Sequence, residues 1–259
     1  MRRFGIIGFG RFGQLAARHL REHFDVIAAD TGDIAAAADE LGVRTGTLAE
    51  AAACDVIMLA VPVQAMADVI ARVAPIVQPG ALVLDVASVK LLPARWMADA
   101  LPEGVDIVAT HPLFGPQSAR NGLAGQPLVV CPVRGDRHLA VAAFGRSLGL
   151  KVSVTTAEEH DREMAYVQAL THLIGRTLDN IRIPDEDLKT SSYQHLLELC
   201  ALIRDDSKEL FFAIQNLNPF AREITQQFIA EANGLLAESL AADDASAGDG
   251  AKLRGSAAR

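Results

Sequence analysis

The run Gly8-Phe9-Gly10-Arg11-Phe12-Gly13 sets three glycines at G-x-G-x-x-G spacing, behind a short apolar run and ahead of a helix-forming stretch at residues 12–22. That context suits a dinucleotide. Gly8 permits a tight turn, Gly10 lets backbone approach a pyrophosphate, and Gly13 brings helix against strand. Phe9, Arg11 and Phe12 fill the same loop, where the helix N-terminus offers N–H groups and the positive end of its dipole. A glycine-rich turn without a ligand is the alternative, and the strand–turn–helix context argues against it. Asp30 ends the second apolar run, at roughly the 20-residue distance expected of the acid that holds ribose hydroxyls. Its carboxylate accepts from the 2′- and 3′-hydroxyls of NAD and repels a 2′-phosphate. No arginine follows, since the chain continues Thr31-Gly32-Asp33. NAD is therefore expected over NADP. Asp33 is the other candidate ribose ligand, and Arg11 leaves NADP open.

A second set of residues follows two later apolar runs. Ala87-Ser88-Val89-Lys90 comes after the run at 81–86, and His111-Pro112 after the one ending at Thr110. The C-terminal ends of parallel strands are where open α/β sheets place their ligands. A histidine there can take a proton from a substrate hydroxyl as hydride leaves the same carbon. Ser88, at a neighbouring strand end, can hold the imidazole in one tautomer. His111 as a polar turn residue, and His-Pro as a strand terminator, are the plainer readings.

These residues need a scaffold, and the chain supplies its signals. Apolar runs at 4–8, 25–29, 55–60, 81–86, 106–110, 127–131 and 151–154 read as strands. Helical segments fall at 12–22, 33–41, 64–74, 89–100 and 137–148. Alternation of this kind predicts βαβ units and a parallel sheet covered on both faces, a Rossmann-type α/β domain over 1–156. Beyond it no convincing strand remains. Tyr166, Leu170, Leu173, Ile174, Leu178 and Ile181 recur at helical spacing until Pro184, and further helices are expected at 187–204, 206–215 and 219–240, with Asn218 as the cap of the last. The expected architecture is a nucleotide domain followed by an all-helical substrate and dimerisation domain at 157–240. Residues 241–259, poor in large apolar side chains, are expected to be a disordered tail.

The motifs in combination resemble the prephenate/arogenate dehydrogenase family of tyrosine biosynthesis. Ser88-Val89-Lys90, His111-Pro112-Leu113-Phe114-Gly115-Pro116 and Asn121-Gly122 carry the likeness. So do Glu159-His160-Asp161, Gln168-x-x-Thr171-His172, Gly175-Arg176, Tyr193-Gln194-His195-Leu196-Leu197 and the stretch from Asp206 to Phe211. The pattern is most similar to the short, plant-type arogenate branch. The resemblance implies hydride transfer from the ring carbinol carbon of a cyclohexadienol to NAD(P), with loss of the ring carboxylate as CO2 and no metal. It implies that His111 hydrogen-bonds the ring hydroxyl and that Ser88 positions both His111 and substrate. The rate then falls as pH drops below the imidazole pKa, about 6.5 when unperturbed. His172 matches a second family histidine facing the cleft, with a core histidine as the alternative. Lys90, Gln168 and Thr171 are further candidate substrate contacts. The Thr-Arg-Ile segment of many bacterial members is absent, and an anionic substrate needs a cation. Arg204, Arg176 and Arg120 are the candidates, and Arg204 is the expected substrate contact. The acidic pair Glu158-Glu159 is a candidate for an ammonium on the substrate side chain. Prephenate and arogenate are both open as substrates, and the chain reads as monofunctional.

Half of the 259 residues are apolar, 22% are charged, and the net charge is −8 with basic residues dispersed. A disordered or fibrous chain is excluded, and nucleic acid and anionic membranes are unexpected partners. Three scattered cysteines, Cys54, Cys131 and Cys200, point to a reducing cytoplasm and no structural zinc. Helices after residue 157 carry Phe211, Phe212, Phe220 and Phe228, more apolar surface than four helices bury alone, so a homodimer is expected. Two other readings compete. A β-hydroxyacid dehydrogenase shares this architecture but uses a lysine in a glycine-rich helical segment, which is missing here. A non-catalytic NAD-binding module predicts binding without turnover.

Overall fold

The computed structural model describes residues 1–204 and 206–255. Its first half is built on one eight-stranded sheet. β1 (Arg3–Ile7), α1 (Arg11–Leu20) and β2 (Asp25–Ala29) form the first parallel unit. α2 (Ala35–Glu40), β3 (Arg44–Thr45) and α3 (Leu48–Ala52) follow. The chain then crosses to the other side of β1 and adds β4 (Val56–Leu59), α4 (Val63–Val73), β5 (Leu82–Asp85), α5 (Leu91–Ala100) and β6 (Asp106–Pro112). Strand order therefore reverses between β1 and β4, the crevice in which such sheets bind ligands.

The parallel sheet expected from the sequence is present, with one antiparallel pairing. β7 (Pro127–Arg134) runs antiparallel to β6, and β8 (Lys151–Val154) follows it through α6 (His138–Ser147). A parallel return requires a crossover helix, and the link from 113 to 126 contains none. β6 also extends past Thr110, so His111 sits inside a strand, opposite Val129. Alternate strand residues feed two cores. Ile57, Leu59 and Val83 meet Met66, Ile70 and Met97 on the face covered by α4 and α5. Phe4, Ile6, Met58 and Leu84 point to the opposite face, with α1 and α6.

The second half is helical. α7 (Ala157–Met164) opens with a capping box, Thr156 and Glu159 exchanging side-chain and backbone hydrogen bonds. It runs into a π-helical turn, Ala165–Leu170, and then α8 (Thr171–Asn180). α9 (Ser191–Ile203), α10 (Lys208–Leu217) and α11 (Ala221–Gly255) complete the chain. Asn218 ties the α10–α11 turn to α7, its side-chain amide donating to the Asp161 carbonyl (2.7 Å) and its carbonyl oxygen accepting from Phe220 (2.9 Å). The tail expected at 241–259 is helical as far as Gly255, because alanine-rich sequence without proline favours continuing a helix already begun. Residues 256–259 lie outside the described residues. Among the described residues no helix is long and apolar enough to cross a membrane.

Candidate active site

A cleft of about 1080 Å³ runs along the C-terminal edge of the sheet and under the helical half. At one end its wall is backbone. Gly8 has φ +99°, and a Cβ there would sit 2.5 Å from the Ala60 carbonyl oxygen. A Cβ on Gly13 would lie 2.2 Å from the Gly8 oxygen, whereas Gly10 faces open space. Two glycines thus bring turn, helix and β4 together, and the third leaves room beside the α1 N-terminus. Asp30 locks this turn: its carboxylate accepts from the Phe9 amide at 2.6 Å and the Gly32 amide at 3.0 Å. Burial raises the Asp30 pKa, but the amides of Gly32 and Phe9, with Thr31, outweigh it and hold the carboxyl below its ordinary value. Gly8, Gly10, Arg11, Phe12 and Asp30 line the cleft. Phe9 is buried beneath it and contributes its amide. This cradle, with a carboxylate at the β2 terminus, fits a dinucleotide.

At the other end the wall is side chains. His111 is buried and lines the cleft. Its Nδ1 lies 2.8 Å from His160 Nε2, and His160 Nδ1 lies 2.8 Å from Asp161 Oδ1. Asp161 also accepts from the amides of Lys90 (2.8 Å) and Leu91 (3.0 Å). A neutral His160 fixes the tautomers along this chain. The Asp161 carboxylate is an acceptor, so His160 Nδ1 donates and its Nε2 accepts. Nδ1 of His111 then donates, which leaves Nε2 of His111 with its lone pair. Burial, then the neighbouring His160 and Lys90, push the His111 pKa well below the ordinary imidazole value. The ring therefore stays neutral below the pH of about 6.5 at which an unperturbed imidazole begins to charge.

Several expected residues are placed differently. Ser88 lines the cleft, but Nδ1 of His111 is held by His160, so the tautomer-fixing part expected of Ser88 falls to His160. Lys90 is fully buried away from the cleft, its ammonium paired with Asp85 and donating to the Thr110 carbonyl (2.6 Å). A buried charge needs such partners, and Lys90 acts as a post beneath the His111 strand rather than a substrate contact. Burial raises the Asp85 carboxyl while Lys90 and the amides of Ala87 and Thr110 oppose it. Arg204 is exposed at the end of α9 and paired with Asp179 at 3.2 Å, outside the cleft. Arg176 donates to the Asp206 carbonyl (2.8 Å), and neither it nor Arg120 lines the cleft. Glu159 serves the α7 cap, and Glu158 pairs with Arg162 at 2.7 Å. Gln168 and His172 do line the cleft, whereas Thr171 does not. The π turn carrying Gln168 is braced from α10, where Gln215 donates to the Ala169 carbonyl at 2.7 Å.

Three residues of this site, His160, Asp161 and Asp206, carried no role from the sequence. His160 and Asp161 entered only as pieces of a motif, although a His-Asp pair at a helix start was a usable signal. Asp206 also lines the cleft, its carboxylate 3.8 Å from His172 Nδ1. The His172 pKa is lowered, burial outweighing Asp206, with Arg176 acting in the same sense as burial. Of the arginines and lysines among the described residues, Arg11 and Arg72 line the cleft, both from the sheet half.

Residues 16–153 match the family model described as prephenate dehydrogenase, nucleotide-binding domain. Arogenate dehydrogenase 2, chloroplastic, of Arabidopsis thaliana is 33% identical over 85% of this chain and 65% of its own length. A Methanocaldococcus jannaschii protein bearing the name probable arogenate/prephenate dehydrogenase is 34% identical over 73% of this chain and 45% of its own. The chain thus spans between about half and two thirds of these relatives. Among solved structures, prephenate dehydrogenase from A. aeolicus, in complex with hydroxyphenyl propionate and NAD+, superposes with a TM-score of 0.74. It covers 93% of this chain and 91% of that one at 20% identity, a likeness of fold.

Proposed function

The chain belongs to the prephenate dehydrogenase family, and from that premise we propose that it oxidises and decarboxylates arogenate with NAD, in tyrosine biosynthesis. The observation that carries this reading is the His111–His160–Asp161 relay, which leaves Nε2 of a neutral, buried imidazole as a base at the reaction end of the cleft. Gly8, Gly10, Gly13 and Asp30 would hold the dinucleotide, with the Asp30 carboxylate favouring ribose hydroxyls over a 2′-phosphate. A dinucleotide held there would supply the acceptor for hydride leaving the carbinol carbon. His111 takes the hydroxyl proton as that carbon becomes a carbonyl. The bond to the ring carboxylate then breaks, CO2 leaves, and its electron pair completes the aromatic ring. His111 returns its proton to the resulting phenolate oxygen. His160 and Asp161 hold the imidazole throughout and stabilise its transient charge.

Arogenate is favoured over prephenate by the charge of the helical wall. Asp206 and His172 stand there, and the arginines of the cleft come from the sheet half. A carboxylate in that position suits the ammonium that distinguishes arogenate from the keto acid. Steady-state kcat/KM with both substrates, each with NAD and NADP, tests all of this together. Arogenate with NAD is expected to be fastest by about tenfold, one unpaired charge's worth. A preference for prephenate with NADP would contradict both choices.

The active form is a homodimer. Tyr166, Val167, Leu202, Phe212, Leu235 and Leu236 are each more than half exposed on the helical half, and a second copy related by a twofold axis covers such a surface in kind. Three buried free cysteines suit a reducing cytoplasm.

A further inference from the structure

We propose that the recess between α1 and α6 is a second binding site, for a small monocarboxylate with an aromatic or branched apolar body. Right-handed crossovers put α4 and α5 on one face of the sheet, and α1 and α6 on the other. On that second face α1 rests on β1 and β2, and α6 rests on β6, β7 and β8. Strands β4 and β5 lie between them. Their side chains Val56, Met58, Leu82 and Leu84 form the floor of a cavity of about 380 Å³.

The chemistry of its walls selects an occupant. Phe24 packs against Phe4 and Phe144, with ring centroids 5.1 and 5.4 Å apart, and these rings flank the recess. Apolar walls with a few polar groups at this volume are the pattern of small-molecule sites, and aromatic walls favour a ring offered edge-on or tilted. Arg2 stands at the rim, without an ion pair among the described residues, whereas the neighbouring Arg137 is paired with Asp106 at 3.1 Å. One available guanidinium beside an apolar chamber calls for one carboxylate on an apolar body. A protein segment does not fit. A single helical turn, about 10 Å across and 5.4 Å long, sweeps about 400 Å³, and both flanks are already closed by helices. Phe12, Val86, Pro112 and Phe114 line this recess and the catalytic cleft alike, so a bound molecule touches the wall beside His111.

The test is isothermal titration calorimetry of the full chain saturated with NAD, using 4-phenylbutyrate and its neutral amide as probes. Saturation with NAD keeps the probe out of the cofactor end of the cleft. One equivalent of 4-phenylbutyrate per chain is expected. Ala16→Phe, on the half-buried inner side of α1, fills the recess and should abolish binding. Arg2→Gln should weaken the carboxylate about tenfold, the loss of one charge-assisted hydrogen bond, and leave the amide unchanged. No binding at millimolar probe overturns the proposal. So does binding that survives both substitutions, which places the probe at the substrate end of the catalytic cleft. Should Ala16→Phe fail to fold, the Arg2→Gln comparison of acid and amide decides alone.

Discussion

The two ends of the cleft are built from different materials. At the cofactor end the working parts are backbone: a turn at φ +99°, two approaches that leave no room for a Cβ, and amides organised by one carboxylate. At the reaction end they are buried side chains from separated segments, with His160 reaching back 49 positions to His111 and Asp161 reaching back 71 to Lys90. The difference predicts how each end fails. A backbone cradle is graded, because each amide contributes a modest share and the remainder persist. A proton relay is a series arrangement, and losing the terminal base stops it.

The sharpest way to break the comparison is His111→Asn. The rate should fall roughly 10²–10⁴-fold, the range for a general base, while NAD affinity measured by fluorescence titration stays the same. In the wild type the acidic limb of kcat should lie below pH 6.5, since a base whose pKa is depressed remains unprotonated further into acid. Activity is thus present above that depressed pKa and lost as pH falls through it. A limb centred above pH 7, or an unchanged limb in a residually active variant, would assign it to another group.

His160 comes next. Replacement by Leu leaves Nδ1 of His111 without its acceptor, and the expected loss in kcat is roughly tenfold to a hundredfold, short of losing the base itself. His160→Gln keeps an acceptor oxygen and should recover most of the rate. If Leu and Gln are equally slow, packing and not tautomer control is what His160 supplies. The smallest effect belongs to the cofactor end. Asp30→Ser with Thr31→Arg should raise KM for NAD about tenfold and admit NADP, with kcat largely kept. A collapse of kcat instead would show that Asp30 holds the reaction geometry as well as the ribose.

The same contrast explains what could be read in the chain beforehand. Gly8–Gly13 and Asp30 were legible because backbone demands leave local marks: a glycine where only glycine fits, an acid at a fixed distance. Seven of the eight strands were legible for the same reason, as continuous apolar runs bounded by turn residues. β3 was missed because two exposed residues, Arg44 and Thr45, carry no apolar pattern. The reversed direction of β7 was written as an absence, the missing helix between 113 and 126. Lys90 and Arg204 misled because a cation in a motif says nothing about which anion it meets, and in the fold they meet Asp85 and Asp179. The His160–Asp161 pair could be read from adjacent residues, but its link to His111 could not, because that link is set by the docking of α7 on the sheet, a tertiary event.

Nitrogen-15 NMR of the histidine rings addresses the relay itself, without a substitution to disturb it. With uniformly labelled protein at pH 7, two-bond correlations distinguish a protonated from an unprotonated ring nitrogen. His111 is expected to be neutral, protonated on Nδ1 and bare on Nε2, with the same tautomer at His160. A proton on Nε2 of His111, or an imidazolium there at pH 7, would contradict the relay.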